Sequence, residues 1–160
     1  MSAQPVSMAP RFRPATSADL AEIEHLLTDS GLPVAGVADI IASHPDDFVV
    51  AEADGAGQRQ LVGVGGLEVC CNNALLRSVA VRRDLQTHGI GRDLVRRLIR
   101  TAEERGIDAL YLLTQTAEHY FPRFGFETVE RASVPAEIAE TVEFKSACPA
   151  SAVAMAKTLA

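Results

Sequence analysis

The chain has 160 residues, 48% hydrophobic and 22% charged, with a formal net charge of −6. That length closes one core, leaves a second independent domain cramped, and carries the composition of a folded protein rather than a disordered tail. No apolar run approaches the roughly 20 residues of a membrane-spanning helix, residues 1–10 lack a secretion signal, and the acidic balance argues against broad nucleic-acid binding.

The expectation is a soluble, cytoplasmic protein directed at small molecules, with residues 1–10 a flexible tail and 11–160 a single domain. Arg11 to Ala15 reads as a short strand. Thr16, Ser17 or Asp19 caps a helix through Leu27, striped by Leu20, Ile23, Leu26 and Leu27. A weaker helix spans Val37 to Ser43 and stops before His44-Pro45. Phe48 to Ala53 is the next strand. Leu61 to Cys71 and Ala74 to Val81 form two long strands joined at Asn72-Asn73, a turn that would place Glu68 opposite Arg77.

Ile90 to Glu104 is the strongest helix, with Leu94, Val95, Leu98, Ile99 and Ala102 at helical spacing. Leu110 to Leu113 fits a buried strand, Ala117 to Phe124 a short helix, Phe126 to Ala132 a strand, Pro135 to Val142 a short helix and Ser151 to Leu159 the last strand. This order predicts a mixed α/β sheet with helices packed on its faces.

Three cysteines cannot make an even disulfide framework, and the zinc spacing C-x-x-C is absent. Cys70, Cys71 and Cys148 could supply thiolates to a soft metalloid, against the plainer reading of three reduced thiols. No metal is expected. From Arg77 to Arg105, eight arginines face Asp84, Asp93, Glu103 and Glu104, so an acidic protein concentrates positive charge in one segment. That suits a compact polyanionic ligand or a solvated arginine-rich helix.

The same segment contains Gln86-Thr87-His88-Gly89-Ile90-Gly91-Arg92, a loop that leaves a strand and opens a helix. Glycines there let backbone N–H groups converge on an anion, and the helix start adds about half a positive charge. A phosphate or pyrophosphate site follows. Walker A fails for want of lysine, and the Rossmann spacing G-x-G-x-x-G is missing.

Gln86 to Gly91 resembles the Q/R-x-x-G-x-G/A signature of GNAT acyltransferases, which bind acetyl-CoA. Ala117-Glu118-His119-Tyr120-Phe121-Pro122-Arg123-Phe124-Gly125-Phe126 is similar to their A-x-x-F-Y-x-x-x-G-F motif. The order of elements matches from about Arg11 to Leu159. The tail Lys145 to Val153, with Glu68 and Leu75-Leu76-Arg77-Ser78, looks more narrowly like the arsenic-resistance N-acetyltransferases. The resemblance implies a GNAT-like α/β fold, a central mixed, mostly antiparallel sheet of about seven strands with helices on both faces.

It also implies roles for residues. Backbone groups of Val79, Ala80 and Val81 would hold the pantetheine arm and polarise the thioester. Gln86, Thr87, His88, Gly89, Ile90, Gly91 and Arg92 would hold the pyrophosphate. Thr114, Ala117, Tyr120 and Phe121 would flank the arm. Acetyl-CoA would be co-substrate to direct attack by the amine of a small molecule, and Glu68 is the candidate base, the alternative being a structural ion pair with Arg77. Arg77 could instead hold a substrate carboxylate, beside Ser78. The family tyrosine that protonates the departing thiolate falls at Phe121, which has no proton to give.

The acceptor implied is an amino acid or an amino-acid-like compound, arsenicals included, in detoxification. Glutamate-type amino-acid acetylation, a non-catalytic acyl-CoA sensor and a cysteine-based metalloid sensor are the alternatives. A homodimer through an end strand or sheet edge is compatible with all of them.

Overall fold

The computed structural model describes residues 9–55, 57–86, 88–147 and 151–159. Of the expected tail, only Ala9 and Pro10 fall among them. The strands are β1 (Arg11–Pro14), β2 (Phe48–Gly55), β3 (Gln58–Cys70), β4 (Asn73–Val81), β5 (Ala109–Thr114), β6 (Glu127–Val129) and β7 (Val153–Thr158). The helices are α1 (Leu20–Asp29), α2 (Val37–Ser43), α3 (Ile90–Glu104) and α4 (Ala136–Ala139). One seven-stranded sheet has the order β1-β2-β3-β4-β5-β7-β6. Its pairings β1/β2, β2/β3, β5/β7 and β6/β7 are antiparallel, and β4/β5 is parallel. A parallel neighbour needs a long crossover, which α3 supplies. This is the mixed α/β sheet that the order of elements predicts, mostly antiparallel as the resemblance implies.

Contacts gather the described residues into two compact units, one drawn from Met1–Gly66 and Ser78–Val95, the other from Leu67–Arg77 and Arg96–Ala160. In the first, α1 buries Ile23, Leu26 and Leu27, and α2 buries Val37 and Ile41, against Phe48, Val50 and Val64. The spacing of these apolar positions is what makes the two segments helical and one-sided. Phe48 is fully buried, and its ring lies 2.5 Å from where a Cβ on Gly66 would sit. In the second unit, Leu75, Val134, Ile138, Phe144 and Ala154 form the core.

A part-buried charge cluster ties β1 into the first unit. Arg13 forks onto Asp19 at 2.7 and 2.8 Å, and its Nε lies 2.9 Å from Glu52. Asp19 also accepts the Thr16 N–H at 2.8 Å; of the three candidate caps, Thr16 caps a 3-10 turn, Ser17–Asp19, and Asp19 stands at the N-cap of α1. The Arg13 hydrogen bond holds the Asp19 carboxyl below its ordinary value, with Thr16 adding to it. A depressed native value means stability that is complete above the ordinary carboxylate range and lost as pH falls through the native one. Thermal melts of wild type and Asp19→Asn from pH 7 to 2 should therefore differ at neutral pH and converge in acid. Parallel curves would contradict this.

Several boundaries depart from expectation. The hairpin turns at Cys71 and Asn72, not Asn72-Asn73, with Cys71 in the left-handed region at φ 58°. Asn73 instead opens β4 and donates its side-chain amide to Glu137 at 2.9 Å. Ser78, inside β4, also stands at φ 62°, an irregularity of the kind that bulges make and that no residue type announced. The expected helix at Ala117–Phe124 is a turn followed by a 3-10 helix, Phe121–Phe124, because Pro122 has no N–H and crowds the carbonyl four residues back. The strand expected over Phe126–Ala132 stops at Val129. The Ser133 hydroxyl donates to Glu130 C=O at 2.7 Å and bends the chain into a 3-10 turn. The expected helix over Pro135–Val142 gives α4 only, ended by the Thr141 hydroxyl donating to Ile138 C=O at 2.7 Å.

Candidate functional site

In the first unit, Val79, Ala80 and Val81 lead out of β4 into the glycine loop. The Arg82 N–H donates to Val62 C=O at 2.9 Å, which holds the strand end. The Arg82 guanidinium forks onto Asp84 at 2.6 and 3.1 Å and reaches Gln60 at 2.7 Å, so this arginine braces the loop. Gln86 Nε2 donates back to Val81 C=O at 3.2 Å, and the His88 N–H donates to Leu85 C=O at 3.1 Å. His88 thus contributes backbone to the bend. Thr87 lies outside the described residues.

Gly89 takes φ 80°, and a Cβ there would lie 2.8 Å from the Arg92 guanidinium, which folds over it. The positive φ is what calls for glycine, since the guanidinium, the far end of a flexible side chain, could move aside. The Asp93 N–H donates to Gly89 C=O at 3.1 Å. The amides of Ile90, Gly91 and Arg92 therefore stand in the first turn of α3, ahead of any intrahelical acceptor, where the helix dipole is positive. Ile90, Gly91 and Arg92 thus supply the open amides of this cradle, and Gln86, His88 and Gly89 shape the bend that leads into it. Ser78 is buried upstream of it.

The second unit holds the carboxylate expected to act as base. Glu68 on β3 meets Arg77 on β4, Oε1 to Nη1 at 3.0 Å. The one-residue shift of the turn has not separated them. Arg77 has no exposed side-chain surface, while Glu68 keeps 24%. A second carboxylate, Glu143, approaches Arg77 Nε at 3.5 Å and is 5% exposed. No sequence motif singles out Glu143. The one hint is a charge set between Val142 and Phe144, and its partner is 66 positions away in the chain.

Burial pushes the Glu143 carboxyl up, Arg77 opposes that shift, and Glu68 reinforces it. Nearby, burial and then the Glu68 charge push the Cys70 thiol up to about 11, far from a reactive thiolate. Cys71 is exposed in the turn, and Cys148 lies outside the described residues.

Also in the second unit, the Thr114 hydroxyl oxygen accepts the Ala117 N–H at 2.9 Å, which leaves its own proton for a further acceptor. Phe121 is buried against Phe126, ring centroids 5.8 Å apart. Tyr120 packs edge-on to Phe121 and Phe124 beneath the Arg123 guanidinium, 4.4 Å from its ring. Its surroundings are those of a packing residue.

Residues 44–128 match the acetyltransferase (GNAT) domain family. The chain belongs to the GNAT family. An amino-acid acetyltransferase of Mycobacterium tuberculosis is 32% identical over 99 residues, 61% of this chain and 51% of that protein. An uncharacterized N-acetyltransferase of Chlorobaculum tepidum is 30% identical over 105 residues, 61% of each. The chain therefore spans between half and two thirds of the length of these curated relatives.

Among solved structures, the Neisseria gonorrhoeae N-acetylglutamate synthase complexed with coenzyme A and N-acetyl-glutamate superposes with a TM-score of 0.78 at 21% identity. The match covers 95% of this chain and 35% of that one. A Mycobacterium tuberculosis protein in complex with CoA gives 0.77 at 24%, covering 94% of this chain and all of that one. These likenesses establish the GNAT fold. No group of three or more His, Cys, Asp or Glu side chains gathers to hold a metal among the described residues. No helix among them is long and apolar enough to cross a membrane.

Proposed function

We propose that residues 11–160 act as one GNAT domain that transfers the acetyl group of acetyl-CoA directly to the amine of a small molecule. The observation that carries this reading is the glycine cradle at the start of α3. Its left-handed Gly89 and first-turn amides fit a pyrophosphate, and it falls inside the segment that matches the family. In this reading Gln86 to Arg92 hold the pyrophosphate. Val79, Ala80 and Val81, which follow the β4 residues paired with β5, offer backbone groups to the pantetheine arm. Thr114, Ala117, Tyr120 and Phe121 flank that arm.

The bound co-substrate supplies an activated acyl group, so no nucleophile on the protein is needed. The chain's task is to neutralise and aim the amine. A primary ammonium is almost wholly protonated near neutral pH, and Glu68, still partly exposed, is the group that takes its proton. Backbone N–H groups of β4 stabilise the negative charge that develops on the acyl oxygen. Phe121 offers no proton to the departing thiolate, which leaves as the anion or takes a proton from water.

The acceptor class is an amino acid or an amino-acid-like compound. The 32% identical relative is named for amino-acid acetylation, which supports an amino-acid acceptor; a glutamate-type acceptor is the second reading. The likeness of the 145–153 tail to arsenic-resistance enzymes extends the class to arsenicals. Release of free thiol from acetyl-CoA should rise above background with one class in a panel of glutamate, other amino acids and phosphorus- or arsenic-containing glutamate analogues. Tight acetyl-CoA binding without turnover on any amine would instead make the protein a sensor.

A further inference from the structure

In the second unit, the part of α3 from Arg96 onward, the 3-10 helix Phe121–Phe124 and β7 border an open pocket of about 360 Å³. Four cations line it: Arg96 and Arg100 from α3, Arg123 from the 3-10 helix and Lys157 from β7. Glu103 is the single carboxylate among the lining residues. Arg96, Arg100 and Glu103 are spaced four and three residues apart, so they share one face of α3. Among the described residues, no carboxylate stands within ion-pair distance of any of the four cations, Glu103 included.

Two of the cations are held in place from outside the pocket. Arg123 Nε donates to Tyr120 C=O at 3.0 Å and its guanidinium lies 4.4 Å from the Tyr120 ring, which leaves the Nη groups for another acceptor. Lys157 Nζ lies 2.6 Å from where a Cβ on Gly125 would sit, so that glycine leaves room for the ammonium. Helix energetics do not account for the cluster. Like charges four apart on a helix repel, and the helix dipole rewards cations only in the last turn, where α3 has no basic residue. Four cations converging from three elements of a chain with net charge −6 is an arrangement that an anion would relieve.

We propose that this pocket is a second anion site, sharing no residue with the glycine cradle, that takes a compact organic polyanion with two or more phosphate or carboxylate groups. Four cations against one carboxylate exceed what a single anionic group balances. The guanidinium groups of Arg96, Arg100 and Arg123 suit the paired oxygens of either group. The volume is that of a small-molecule site rather than of one ion, and Ile99 and Phe124 give a carbon skeleton an apolar wall. A nucleic acid would ask for positive surface well beyond the pocket, in a chain that is acidic overall. The site does not depend on the acetyl-transfer reading.

The test titrates pyrophosphate, citrate and, as a single-group control, inorganic phosphate into the nitrogen-15-labelled chain at constant ionic strength. Pyrophosphate or citrate should shift the backbone amides of Arg96, Arg100, Arg123 and Lys157 saturably, and the tighter of the two tells phosphate from carboxylate. Binding should weaken by about tenfold or more in Arg96→Ala/Arg100→Ala, and by less in Lys157→Gln, a change on a different element. These side chains are exposed or half-buried and unpaired, so both variants should melt with wild type. Acetyl-CoA affinity should be unchanged in both. A loss of acetyl-CoA affinity in the variants that disappears with dephospho-CoA would overturn a second site, by giving these cations to the 3′-phosphate of the co-substrate. Shifts that are absent, do not saturate, stay confined to Ile90, Gly91 and Arg92, or persist unchanged in both variants would overturn it as well, and leave α3 a solvated arginine-rich helix.

Discussion

Replacing Glu68 by glutamine is expected to lower kcat/KM on the best acceptor by about 10² to 10⁴-fold, the range for loss of a positioned general base. Acetyl-CoA affinity should not change, because the cradle at Gln86 to Arg92 contains no part of the substitution. The isostere keeps a hydrogen-bond acceptor for Arg77 Nη1, now 3.0 Å from Glu68 Oε1, so the fold should survive with a modest fall in melting temperature. If Glu68 serves only as the counter-ion of a buried arginine, the melting temperature falls and turnover stays within about threefold of wild type. Equilibrium binding, steady-state turnover and a thermal melt on one preparation separate the two roles.

The second large effect is on stability. Phe48→Ala empties a site whose ring is wholly buried and should cost about 3–5 kcal/mol. Gly66→Ala pushes a methyl group into that same ring, 2.5 Å from its nearest atoms, and overpacking of this kind costs about 1–3 kcal/mol. The two losses should not add. In the double variant the new methyl meets space in place of the ring, so the urea midpoint should lie above the one obtained by summing the single effects. Strict additivity would show that the contact between Phe48 and Gly66 is not what makes each variant unstable.

How far the sequence reveals the molecule depends on the range of the interaction that decides each element. Helix α3 spans the residues that the spacing of Leu94, Val95, Leu98 and Ala102 predicts, because its apolar stripe is a local pattern. The glycine loop is legible for the same reason. The hairpin displaced by one residue is not, since Cys71 takes a left-handed conformation that its chemistry does not favour. Neither is the early end of β6, which turns on one hydroxyl, nor Ser78. Among the charged groups of the second unit, Glu68 and Arg77 are close in sequence and read as a pair. Glu143 joins them only because the chain returns from α4, and no pattern in the sequence announces a tertiary contact of that length.

The two outer strands of the sheet are the shortest. On one side β1 is four residues, Arg-Phe-Arg-Pro, and on the other β6 is three. Proline has no N–H to extend a ladder, and arginines make a poor template for a neighbouring chain. An added strand would find four or fewer positions to pair with on either side, so the sheet resists growth into fibrils. Either margin therefore offers a second chain only a short run of backbone to hydrogen-bond with.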